Sequence, residues 1–122
     1  MADTVTIERE HWKEFLDELT DERVGYQVSV EVLDRSYGDP HEVEKMPFSY
    51  VNYDPKDDVV VLGVGGNSPR FPVLLRHMIW HPSDLEITEA KVIEADLRVA
   101  EKDGTTTLVH FFPAPALPPP QY

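Results

Sequence analysis

Apolar residues recur with a helical period near the start of the chain. Trp12, Phe15, Leu16 and Leu19 stand at i, i+3, i+4 and i+7, with Lys13, Glu14, Asp17 and Glu18 between them. That spacing puts the apolar four on one stripe and predicts an amphipathic helix over Ile7 to Thr20. Thr6 is placed to cap it, and Glu8 and Glu10 suit the positive end of its dipole. Burying the stripe contributes at most ~6–12 kcal/mol, enough to make the helix a cover for something else.

What it covers is expected to be a sheet, because the period then changes to two. Val24, Tyr26, Val28, Val30 and Val32 alternate with Gln27, Ser29 and Glu31, the pattern of a half-buried strand. A turn cluster at 34–40 follows, then a weaker strand within Val43 to Tyr53, edged or interrupted at Pro47. Asp54-Pro55-Lys56-Asp57 marks another turn. Val59 to Leu62 and Val73 to Trp80 are apolar on both sides, apart from Arg76 and His77. Strands of that kind are covered on both faces. One helix covers one face, so the other is expected to be closed by curling of the sheet or by a partner subunit.

The last hairpin is the sharpest local signal. Ile93, Ala95, Leu97 and Val99 alternate with acids and Arg98, and the pattern resumes at Thr107, Val109 and Phe111. A two-residue Asp103-Gly104 turn would put the apolar faces out of step. A three-residue loop, with Gly104 left-handed, sets Val99 against Thr107 and Leu97 against Val109. Five of the eleven prolines fall in residues 113–122, which predicts an extended, disordered tail. The expected fold is therefore α+β: an N-terminal amphipathic helix packed on a curled, mainly antiparallel sheet of five to seven strands. It would form one domain over residues 1–112, followed by the tail.

Composition narrows the function classes. The chain has 122 residues, 23 acidic against 11 basic, for a formal charge of −12. That field opposes nucleic acid and anionic membrane surfaces. The absence of cysteine removes disulfides, thiolate metal sites and cysteine nucleophiles. The N-terminus lacks the basic start and apolar run of a signal peptide, so the cytoplasm is the expected compartment.

Candidate chemistry is sparse. The glycine-rich run Leu62 to Ser68 leads into Pro69 and another strand rather than a helix, so it lacks the amides of a phosphate loop. His77 and His81 are spaced to share a metal on a helix, but in a strand they lie about 13 Å apart. Local hydrogen bonding is the expected role of both rings. Serines are present, but none sits in a nucleophile elbow, and acidic pairs such as Asp57-Asp58 read as solvated turn charges. No catalytic residue, metal or cofactor is implied. Arg76, His77, Trp80 and His81 form the densest group of binding-type side chains and are the candidate ligand or partner surface. In the tail, Pro118, Pro119, Pro120 and Tyr122 form a Pro-Pro-x-Tyr element, a candidate partner motif.

Four segments carry a family likeness: Ile7 to Leu19, Gly25 to Val32, the His77…Ile79…Pro82…Leu85 stretch and Asp103 to Leu108. Through them the chain resembles the bacterial domain of unknown function family 5335, up to about Phe112. It departs from that pattern in the Gly63–Phe71 loop and the proline tail. The resemblance implies a bacterial cytoplasmic protein of unassigned activity and transfers no catalytic residues. The leading expectation is a non-catalytic binding or interaction module, and a homodimer joined through the doubly apolar strands. The alternatives are a small enzyme or ligand carrier with a pocket near Arg76, His77 and His81, and a carrier of the proline tail.

Overall fold

The computed structural model describes residues 3–33, 41–66, 72, 74–89 and 94–113. Among these residues there are eight strands: β1 (Asp3–Thr6), β2 (Gln27–Leu33), β3 (His41–Asp54), β4 (Val59–Gly65), β5 (Leu74–Trp80), β6 (Pro82–Glu89), β7 (Ala95–Glu101) and β8 (Thr106–Phe112). A 3-10 turn at Arg9–His11 leads into α1 (Trp12–Glu22), the one α-helix among the described residues. The strands form one sheet in the order β1-β6-β7-β8-β2-β3-β4-β5, every neighbouring pair antiparallel.

This corrects the expected architecture. The sheet has eight strands, not five to seven, and the first element is a strand. Strand residues far outnumber helical ones among the described residues, which form an antiparallel sheet carrying one short helix. Two strands account for the difference. β1 holds Asp3–Thr6, including the residue assigned as helix cap, because it pairs with Glu86–Glu89 of β6. In β6 the alternation is short, Leu85 and Ile87 between acids, yet both apolar residues are buried. At the other end of the helix, Val24 is exposed and Gly25 takes φ +87, so this pair turns the chain before β2 begins at Gln27.

β3 explains the shape. Its first half pairs with β2 and its second half with β4, with register shifts at Val28/Val30 and Phe48/Tyr50. Such bulges bend and twist a strand, and Pro47 lies within it rather than ending it. The sheet therefore folds back on itself. β5 and β8 are four positions apart in strand order, about 19 Å in a flat sheet, yet His77 Nε2 lies 3.1 Å from Thr107 Oγ1. The core fills this fold. It includes Trp12, Leu16 and Leu19 from α1, Val28, Phe48, Val60, Leu62, Ile79, Leu85, Leu97 and Phe111.

The helix does a second job. Where β2 stops, the second half of β3 has lost a neighbour on that side. Thr20 Oγ1 donates to the Val51 carbonyl (2.7 Å) and accepts from the Val51 N–H (3.0 Å). One hydroxyl thus serves both backbone groups that a strand would have paired, its single proton lying between the Val51 carbonyl and the Leu16 carbonyl (2.9 Å) of its own helix. The closing hairpin has the expected register, Leu97 opposite Val109 and Val99 opposite Thr107, with Gly104 at φ +98. No helix among the described residues is long and apolar enough to cross a membrane.

Candidate functional site

β4 and β5 read alike in sequence and end up in different places. β4 is buried along nearly its whole length. Its inward side chains, Val60, Leu62 and Val64, join the core. On its outward side, Tyr50 lies across Gly63, where a Cβ would fall 2.5 Å from the ring, and Trp80 stands opposite Val59. β4 is covered by its own chain. β5 is not. Leu74, Leu75, Met78 and Trp80 are all more than a third exposed, and Arg76 is exposed beside them.

The registers arrange the outward face in three rows. Tyr50, Gly63 and Arg76 form one, Asn52, Val61 and Met78 the next, and Asp54, Val59 and Trp80 the third. A shallow depression of about 390 Å³ lies among Tyr50, Asn52, Val61, Arg76 and Met78.

A polar clamp holds the far end of β5. Asp58, closing the β3–β4 turn, and His81, between β5 and β6, both have left-handed backbones, φ 52 and φ 49. Non-glycine residues stay there only when their surroundings hold them. The His81 N–H donates to the Asp58 carbonyl at 2.9 Å, and His81 Nδ1 lies 3.3 Å from the Asp58 carboxylate. The same carboxylate accepts from Tyr53 OH at 2.8 Å and Arg9 Nη1 at 3.0 Å. Arg9 Nη2 donates to the Pro82 carbonyl (2.8 Å), and its guanidinium lies 4.4 Å over the Trp12 ring. Across the barrel-like fold, the Lys102 N–H donates to the His81 carbonyl at 3.1 Å. A depression of about 530 Å³ opens beside Arg9, Glu10, Lys13, Tyr53, Pro55 and Asp58.

The electrostatics of the clamp favour holding over proton transfer. The hydrogen bond from Tyr53 lowers the Asp58 pKa, helped by His81 and Arg9 against the cost of burial. Burial, then Asp58, pushes the Tyr53 phenol above its usual value. Asp58 therefore stays ionised and Tyr53 stays protonated near neutrality. Neither has the pKa of an efficient general acid or base there.

Of the residues singled out in sequence, Arg76 and Trp80 share the outward face. His77 points to the other side of β5, against Thr107, where burial lowers its pKa. His81 lies beyond the strand and engages Asp58. A pocket built jointly by Arg76, His77 and His81 is not formed, because consecutive strand residues face opposite sides. Pro118, Pro119, Pro120 and Tyr122 lie outside the described residues, as do Asn67–Phe71 of the glycine-rich loop. Sequence reasoning missed Arg9, Tyr53 and Asp58. The only available signal was Asp58 at the end of a turn, and its neighbour Asp57 offered the same one.

Two other groupings were assembled by the topology. Ser29, His110 and Asp96 are cross-strand neighbours on β2, β8 and β7. His110 Nδ1 bonds Asp96, but Ser29 Oγ accepts from the Lys45 N–H at 3.4 Å. Among the described residues no hydrogen bond links Ser29 to His110, so the hydroxyl is not activated as a nucleophile. Glu8, Glu10 and His11 bring three ligand atoms within 4.8 Å of one another and could hold a metal, although all three are exposed.

A model described as a family of unknown function (DUF5335) matches residues 3–120, so the likeness runs beyond Phe112 into the proline tail. A protein of Aquifex aeolicus (strain VF5), named "Uncharacterized protein", is 32% identical over 115 residues, covering 94% of this chain and 97% of that one. No solved structure matches.

Proposed function

This chain belongs to the DUF5335 family, a family of unknown function, and from that premise we propose that it is a non-catalytic protein-interaction module working through β5. The observation that carries this reading is the contrast between the two edges of the sheet. β1 is four residues long, Asp-Thr-Val-Thr, with an acid at its start. Short, polar edges of this kind resist pairing with other chains. β5 is seven residues long, contains no proline or acid, and presents Leu74, Leu75, Met78 and Trp80 to solvent. Among the described residues it pairs on one side only, with β4. A long apolar edge left open is a template for strand addition.

The clamp supports the same reading. By fixing His81 to Asp58 and Lys102, it holds the end of β5 in place, so little ordering cost remains at binding. The pKa directions of Tyr53 and Asp58 speak against acid–base catalysis at this end of the sheet.

The test is a photo-crosslinking amino acid placed at Met78 or, as the control edge, at Val5, in the cell that produces the protein. Position 78 should give discrete adducts and position 5 should not. Absence of adducts at 78, or equal adducts at both positions, overturns the reading.

A further inference from the structure

The partner at β5 can be identified from charge and from the strand itself. Two copies of a chain carrying −12 repel each other over most of their surfaces. The stretch Val59 to Ser83 is different. It holds no Asp or Glu, and its described residues include Arg76, His77 and His81. β5 itself carries no acid, so pairing it strand to strand with a second β5 sets Arg76 and apolar side chains against each other, while Asp54 and Asp58 stand on its β4 side. An acidic partner would be drawn by Arg76, but that is a single cation beside four exposed apolar side chains. The recognition it offers is mainly apolar.

Resting on the reading of β5 as a docking edge, we propose that the occupant is a second copy of this chain. The two β5 strands pair antiparallel about a two-fold axis through His77. In that register Leu74 faces Trp80 of the second copy, Arg76 faces Met78, and all seven residues are matched. Moving the axis to Arg76 would set the two guanidinium groups opposite each other, and like charges directly opposite are destabilising. The result is a continuous sheet through both protomers with an isologous interface. The outward faces of the two arms then merge into one surface bearing two copies of Tyr50, Arg76, Met78 and Trp80.

The register makes a signed prediction. Met78→Lys places a cation against Arg76 of the second copy, twice per dimer, and should weaken association by about tenfold or more. Met78→Glu places an acid there and should leave association as tight as in the unaltered protein, or tighter. Val5→Lys, on the far edge, should change nothing. Raising the salt concentration should strengthen the dimer, because it screens the repulsion between the two acidic bodies.

Sedimentation equilibrium of the full chain, from micromolar to submillimolar concentration, reads all of this against a monomer mass of 14.0 kDa. Far-UV circular dichroism checks that each variant is folded. A dimer lost in Met78→Lys and kept in Met78→Glu supports the proposal. A monomer at every concentration, equal weakening by both substitutions, or a dimer that weakens with salt overturns it. Amide hydrogen exchange then separates the two levels of the argument. A monomer whose outward β5 amides exchange freely removes the second copy but leaves the edge open to another partner. A monomer with those amides protected removes the docking edge as well.

Discussion

Asp58 is the residue on which the clamp closes, and replacing it separates backbone strain from side-chain bonding. Its carboxylate accepts from Tyr53, Arg9 and His81. The Tyr53 bond is the best shielded. The other two involve half-exposed partners, with Arg9 and His81 side chains 49% and 64% accessible, so solvent reduces their value. Losing the three together should cost about 2–3 kcal/mol. The backbone adds a second contribution, since φ 52 costs an alanine roughly 1 kcal/mol that glycine avoids and that Asn and Asp tolerate better. The expected order is therefore Asp58→Ala near 3 kcal/mol, Asp58→Gly near 2, and Asp58→Asn, which keeps an acceptor and the turn preference, about 1. For a domain of this size the alanine variant should melt roughly 10 °C lower.

Urea unfolding followed by far-UV circular dichroism measures the series, and pH supplies a further check. The folded pKa of Asp58 is lowered, so its stabilisation is complete above the unfolded carboxylate value of about 3.9 and is lost as the pH falls through the folded value. The gap between the unaltered protein and Asp58→Asn should therefore be constant near neutrality and close under acid. Three variants all within about 0.5 kcal/mol of the parent, or parallel pH curves, would refute the account of the clamp.

Other substitutions test the rest of the fold. Leu16→Ala empties a fully buried site between α1 and the sheet and should cost about 2–5 kcal/mol in the same urea assay. Thr20→Val keeps the shape but removes the hydroxyl that serves the Val51 N–H and C=O, and should cost about 1–3 kcal/mol. Amide exchange at Val51 should accelerate with it. His77 has a lowered folded pKa, so below about pH 6.5 the unfolded chain binds a proton that the folded chain resists. Stability should fall with acidification there, and His77→Gln should flatten that part of the profile as followed by thermal melts.

The sequence by itself determined the local pieces whose signal is carried by neighbours along the chain. The helix stripe of Trp12, Leu16 and Leu19, the two-residue alternation of β2 and the three-residue loop at Gly104 are all of this kind, because period and turn chemistry act over a few residues. It also singled out Trp80 and Arg76 through their residue types. What only the tertiary structure decided depends on pairs distant in sequence. β1 exists because β6 offers it a partner 80 to 86 residues away. β4 and β5 both read as largely apolar strands, β5 interrupted only by Arg76 and His77, yet Tyr50 lies across the outward face of β4 while β5 keeps most of its side chains exposed, and nothing in either strand's own residues says which comes last in the sheet. The clamp gathers Arg9, the Tyr53–Asp58 pair of the β3–β4 hairpin and His81 from three separate segments, and no local pattern marks residues of different segments that meet only when a sheet curls.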